Sequence, residues 1–490
     1  MPDNDNERDI REAKRVSRRD FLKIAGVTGA AVGLSGGLGG LLAACGKEEE
    51  TTTTAAAAAT TTTAALASTA TSAAAASTTT VSAGAETGRP LKIGVLSPQT
   101  GSLASFAKPD QWIVDTITKT LKDGVLCGDQ KIHTFEFKIE DTQSKTDRAA
   151  SVAGDLINAK YDMLLASSSP DVVNPAADQC EAFGMPLLAT FVPWQPFYLG
   201  RQKDAANPQP FKWTWMYHFG LEDAAQVRMG MWEQVQTNQK VGLLFPNDSD
   251  GTSWANEKTG FTAKVKAAGY EVTQPGLHEA TADDFTVQIA AFKKAGCEIV
   301  SGIETPPVFT NFWKQAIQQD FKPKIACFGK ALLFHQTLVA LGDSGIGLSD
   351  EIVWHPTFPY KSSLSGQTCQ QLADQYTTET GEGWTEPLGQ YGKFEWMVDV
   401  YKRMTDIENK ELFPTIVAQT KMDTIQGPVD FTLPVKAGTA HPVPNVFKIR
   451  IAAGQWLKVT GGKWPYDINI CFADGPEIPT TATLQQMQYA

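Results

Sequence analysis

The stretch YDMLLASSSPDVVNPAADQCEAFGMPLLATFVPW, residues 161–194, decides the fold. Its apolar run 163–166 is short and continuous, as expected of a strand covered on both faces. It runs into Ser167, Ser168, Ser169, Pro170 and Asp171. After Pro175, Ala177, Cys180 and Phe183 recur at three-residue steps, which predicts an amphipathic helix stopped by Gly184. A second buried strand, 186–189, opens into Thr190, Phe191, Val192, Pro193 and Trp194. Two neighbouring parallel strands thus end in small hydroxyl residues, and ligands of open α/β sheets sit outside the carboxyl ends of the strands. These residues read either as half of a binding site or as ordinary loops whose serines cap the next helix.

Outward from this stretch, strand and helix patterns alternate from Leu91 onward, the signature of βαβ units and parallel sheets. Upstream, a strand over 91–96 ends in Ser97-Pro98-Gln99-Thr100-Gly101, and a second over 134–140 ends at Asp141. Helices are expected through Trp112 and Ile117 and over 147–159. Downstream, an aromatic crossing (Trp213, Trp215, Tyr217, His218) leads into the same pattern again. Helices are predicted over 221–236 and 256–268, with further helices marked by Phe285 and Ile289 and by Phe312 and Ile317. Strands over 241–245, 298–303 and 324–328 end in Pro246–Gly251, in Glu304-Thr305 and in Gly329-Lys330. A return begins near 351–354, and a long helix starts near Gly389. The body is therefore two similar α/β halves with polar residues gathered at strand tips.

The 490 residues carry a formal charge of −11 and show no basic stripe, which argues against a nucleic-acid partner. None of the turns carries a glycine-rich phosphate-binding fingerprint, so no cofactor is expected. The six scattered histidines have no metal-ligand spacing, and no metal is expected; only His218 is a candidate for the cleft, set against a structural role. Six of the seven cysteines (Cys127, Cys180, Cys297, Cys327, Cys369, Cys471) are read either as disulfide partners or as buried free thiols. No nucleophile, base and orienting group form a recognisable set, so the chain is not read as an enzyme.

The first ninety residues are an address and a tether. Ser17-Arg18-Arg19-Asp20-Phe21-Leu22-Lys23 matches the twin-arginine export signature, and the uncharged stretch 24–44 ends in Leu42-Ala43-Ala44-Cys45. That ending resembles a bacterial lipobox, which implies lipidation of Cys45 and membrane anchoring. Residues 1–44 are read as the signal peptide, and 45–89, rich in Thr and Ala, as the lipidated cysteine with a disordered leash. A flexible chain of that length spans roughly 35 Å.

The body resembles the branched-chain amino acid type of ABC-transporter solute-binding proteins, the type I periplasmic binding fold. The resemblance is carried by 92–101, the Ser-rich turn with Pro175, Gly184-Met185-Pro186, 241–245 with Asp250-Gly251, and Gly427-Pro428-Val429-Asp430-Phe431. It implies two Rossmann-like lobes joined by a three-strand hinge, with lobe one at 90–215 plus 356–432 and lobe two at 216–355 plus 433–490. It implies an exported, monomeric receptor on the outer face of the cytoplasmic membrane, which passes a small solute to permease subunits. In the family's pattern Ser168, Ser169 and Thr190 hold a carboxylate, Phe106 covers the ligand, and Asp250 stands where an aromatic is common. Lys330 falls near the place of the carboxylate that meets a ligand's ammonium. It is expected to face either a ligand carboxylate or Glu304, and Trp194, Trp213 and Tyr217 either an aromatic wall or interface packing. The competing readings are a sensing module of the same fold and, further off, an exported α/β enzyme.

Overall fold

Two parallel sheets with the same strand order carry the described chain, which in this computed structural model comprises residues 84–433, 435 and 442–489. Arg18, Arg19, Cys45 and the Thr/Ala-rich stretch lie outside the described residues. In the first sheet the spatial order is Phe135–Asp141, Leu91–Ser97, Met163–Ser167, Leu187–Thr190, Thr214–His218 and Val446–Lys448, all parallel. In the second it is Glu271–Thr273, Lys240–Leu244, Ile299–Ile303, Ile325–Gly329 and Ser349–Ile352, also parallel. Ala452–Lys458 and Tyr466–Ala473 then extend that edge antiparallel.

Numbered along the chain, each half starts 2-1-3-4-5. The order therefore reverses between Leu91–Ser97 and Met163–Ser167 in one sheet, and between Lys240–Leu244 and Ile299–Ile303 in the other. Such switch points open a crevice at the strand tips, because the two flanking connections leave to opposite faces. The central strands are apolar on both faces and buried, as at Met163, Leu164, Leu165, Ile299 and Val300, while edge strands such as Phe135–Asp141 and Glu271–Thr273 are partly exposed. The register sets Ser167 beside Thr190, so the two hydroxyl tips lie side by side.

The chain passes between the sheets three times, after His218, after Ile352 and after Lys448. The returning helix Tyr391–Arg403 packs on the first sheet through Phe394 against Phe137 and Tyr401 against Phe135. One expectation is corrected here. The resemblance implies a second lobe at 216–355 and from 433 onward, yet Val446–Lys448 pairs with Thr214–His218 in the first sheet, and that strand itself runs past 215. The hydrophobic pattern of Val446–Lys448 is compatible with either sheet; only the pairing partner decides.

Local differences have local causes. The helix expected after Pro175 runs Pro170–Phe183, with Ser169 capping it and Gly184 ending it at φ 70°. A proline inside a helix leaves the carbonyl four residues back without its donor. Here that carbonyl, on Asp171, accepts from Thr146 Oγ at 3.0 Å, so the helix continues through Pro175. The polar turn at 246–251 contains the start of a short helix, Ser249–Trp254, capped by the Asp248 side chain; the next helix is Phe261–Ala267, not 256–268. The helix expected over 221–236 stops earlier, at Leu221–Trp232. The six described cysteines are buried and unpaired, which decides for free thiols over disulfides. No helix among the described residues is long and apolar enough to cross a membrane.

Candidate functional site

The two switch points face one another across a single cleft. The first sheet contributes Ser168, Phe191, Pro193, His218 and Phe219. The second contributes Asp250, Ile303, Lys330, Glu351 and Val353, and Phe106 and Leu333 close the sides. Only about 30 Å³ remains open between the rims, room for one or two waters. Three contacts cross the gap. Lys330 Nζ donates to Ser169 Oγ at 3.1 Å, Ser249 N–H donates to Asp171 Oδ1 at 3.0 Å, and Phe106 meets Phe334 edge-on at 5.0 Å. The lobes are therefore closed on each other.

Three of the tips are strained. Ser168, Phe191 and Lys330 follow directly on the ends of their strands with φ of 117°, 59° and 67°. Side chains other than glycine avoid this region, at a cost of about 1–3 kcal/mol each. The turn out of each strand aims its first loop residue into the cleft. This feature leaves no trace in composition.

Charge is concentrated on the second lobe. Lys330 Nζ pairs with Asp250 Oδ2 at 3.0 Å. Burial alone would lower the lysine, but Asp250, Asp248 and Asp171 together hold it above its ordinary value. Burial pushes Asp250 up to about 6, against the pull of Lys330. Glu351 is held from behind by Arg228, a wholly buried guanidinium that also donates to Ser301 Oγ and the Gly302 carbonyl, both at 3.0 Å. A Cβ on Gly329 would lie 2.4 Å from that guanidinium, so glycine is required where the pair passes the strand.

The first lobe brings neutral groups. Phe191 stacks on His218 at 4.9 Å, and burial takes the imidazole down to about 3, so it is neutral. Behind Ser168, Ser167 and Gln390 accept from Lys393 Nζ at 2.8 and 2.9 Å, and burial lowers that amine to about 8. Gln390 Nε2 in turn donates to the Phe106 carbonyl at 2.9 Å, which fixes that ring's loop over the cleft.

Three polar atoms in the cleft are buried without a hydrogen-bond partner: Ser168 Oγ, His218 Nδ1 and Asp250 Oδ1. Buried polar atoms are seldom left so, and these three lie around one crevice.

The structure gathers Phe106, Ser168, Asp250 and Lys330 around this cleft, and Ser169 reaches it through Lys330. Ser169 also caps the helix behind it, as the capping reading of the serine tip expects. Five named residues do not line the cleft. Thr190 donates to Gln426 Oε1 at 3.3 Å, away from the crevice, because its neighbour Phe191 takes the outward turn. Trp194 donates to Glu222 at 2.9 Å, as interface packing, whereas Tyr217 packs edge-on against Trp396 inside the first lobe, neither as an aromatic wall nor at the interface. Glu304 accepts from or pairs with His278 Nε2 at 2.7 Å instead of meeting Lys330. Trp213 lies at the amino end of its strand, beside Gly184. Phe191, Phe219 and Glu351 were not anticipated, although each directly follows, or lies within, a recognisable strand end.

Two closing α/β lobes with a polar crevice at both switch points define a bilobal binding protein. The chain belongs to the periplasmic binding protein family, whose profile matches residues 90–454. A twin-arginine translocation signal matches residues 15–35, and with the binding domain it indicates export. Among solved structures, a leucine-binding protein, LivK, from Thermotoga maritima is similar at a TM-score of 0.63 and 16% identity, covering 79% of this chain and 99% of that one. A Rhodopseudomonas palustris ABC-transporter solute-binding protein in complex with 3,4-dihydroxybenzoic acid gives 0.59 at 16%, covering 78% and 97%. A fatty acid ABC-transporter substrate-binding protein from Thermomonospora curvata gives 0.61 at 15%, covering 81% and 98%. No curated protein matches the chain in sequence.

Proposed function

We propose that the chain is the extracytoplasmic solute receptor of an ABC importer. It captures a small amino acid-like or carboxylate-bearing solute by hinge closure and carries out no chemistry on it. The observation that carries this reading is the pairing of opposite charges with three unpartnered polar atoms in one cleft. A solute carboxylate is taken by Lys330, Ser168 and Ser169, displacing the lysine's contact with Ser169. An ammonium, where the solute has one, is taken by Asp250 Oδ1, and the apolar body lies among Phe106, Phe191 and Phe219. The solutes in the names of the similar structures, leucine, a dihydroxybenzoic acid and a fatty acid, share a carboxyl group and an apolar body, which supports the class.

Lobe one is then 90–218 with 356–448 and lobe two 219–355 with 449–490, hinged at the three crossings. Lipidation of Cys45 anchors the receptor, and the leash lets it present the closed form to a permease. The test is a calorimetric screen of small carboxylates and amino acids, with X-ray scattering on each hit. At least one compound is expected to bind saturably and shrink the radius of gyration. A complete screen in which nothing alters heat or scattering refutes the reading.

A further inference from the structure

A second cavity, of about 190 Å³, shares no residue with the cleft. One wall is Asp374, on the helix Cys369–Thr380, with Trp384 from the loop beyond it. The other is the hairpin between Ala452–Lys458 and Tyr466–Ala473, through Trp464 and Asp467. His335 lies between them, 1% exposed.

The surroundings of His335 are unusual for a histidine. Its ring stacks on Trp464 at 5.3 Å and meets Trp384 and Trp456 edge-on at 4.7 and 4.9 Å. Both its ring nitrogens are buried without a hydrogen bond; the nearest carboxylate oxygen, Asp467 Oδ1, stands 3.6 Å from Nε2. The walls approach closely by design of the backbone. A Cβ on Gly383 would fall 1.8 Å from Trp464 Nε1, the nitrogen that donates to the Trp384 carbonyl at 3.3 Å.

We propose that this cavity binds a small organic ammonium ion. Indoles attract cations through their ring quadrupoles, more strongly than other aromatic side chains do. A neutral imidazole offers one acceptor nitrogen, and Asp374 and Asp467 offer acceptors only. Lys463, on the exposed tip of the hairpin, is the single cation in the lining. The balance of acceptors over donors selects a guest that donates, and the two carboxylates exclude anions. The guest's N–H groups satisfy Asp467 and the one acceptor nitrogen of His335, while its alkyl part lies on Trp384 and Trp464.

The probe is n-butylammonium chloride, titrated into the full chain by calorimetry and by saturation-transfer NMR, with sodium butyrate and butan-1-ol as controls. Saturable binding of the ammonium alone is expected. Asp467→Asn, an isosteric change on a half-exposed hairpin, is expected to weaken it at least five-fold with an unchanged melting curve, and Trp464→Leu likewise. Asp250→Asn, in the main cleft, is expected to leave it intact. Absence of saturable binding overturns the proposal. So does binding that is lost in Asp250→Asn and kept in Asp467→Asn, which would assign the probe to the cleft.

Discussion

The two sheets share one strand order but arm their tips differently. The first sheet's tips present a hydroxyl and rings, at Ser168, Phe191 and His218; the second's present ions, at Asp250, Lys330 and Glu351. Equal topology thus sets where a site forms, and the residues at and just beyond the strand ends set what it does. The division has an electrostatic logic. Ions are expensive to bury one at a time, and on the second lobe each is already compensated, Lys330 by Asp250 and Glu351 by Arg228. The first lobe then closes over them with the neutral Ser168, Phe191 and His218, and its one carboxylate at this face, Asp171, accepts from the Ser249 N–H.

The largest expected effect breaks that compensation. Lys330→Met should abolish solute capture, by about 100-fold or more, and leave Asp250 unpaired beside Asp248. Removing one partner of a buried pair costs about 3–5 kcal/mol. The sign with pH follows from Asp250, whose folded-state value already lies above the ordinary carboxylate range. An acid so raised takes a proton more readily when folded, so stability is present at low pH and lost as pH rises through its folded value. Urea melts of Lys330→Met should therefore show a deficit at pH 8 that shrinks at pH 5. An equal deficit at both would mean that the lysine matters for packing, not charge.

A smaller effect separates strain from chemistry on the first lobe. Ser168→Gly should relieve the φ of 117° and raise stability by about 1 kcal/mol. The lost hydroxyl should weaken capture by about five- to ten-fold. Ser168→Ala should lose the same affinity with no gain in melting temperature. If both variants melt alike, the turn is not strained.

The smallest effect is at Thr190. Its hydroxyl faces Gln426 and not the cleft, so Thr190→Val should change solute affinity less than two-fold. A ten-fold loss measured by calorimetry would return Thr190 to the binding surface and blur the contrast between the lobes' tips.

Much of this was legible in the chain. Buried strands such as 163–166 announce themselves as short apolar runs, and the hydroxyl cluster after them locates a cleft edge. What misled was neighbourhood. Thr190 and Phe191 are adjacent, and nothing local says which one turns outward. Pro175 reads as a helix boundary until Thr146, from another helix, supplies the missing donor. Glu304 and Asp250 are both acidic groups near the tips of the same sheet as Lys330, yet His278 claims the first and leaves the second to the lysine.

The order of residues by itself determined the alternation of strands and helices, the twin halves and the export signature, because each depends on contacts or patterns within a few residues. Tertiary structure alone decided that Val446–Lys448 joins the first sheet, that Lys330 meets Asp250 and Ser169, and that His335 sits among three indoles. Those outcomes turn on which distant groups compete for the same partner. That competition is settled by distance in space, which separation along the chain does not encode.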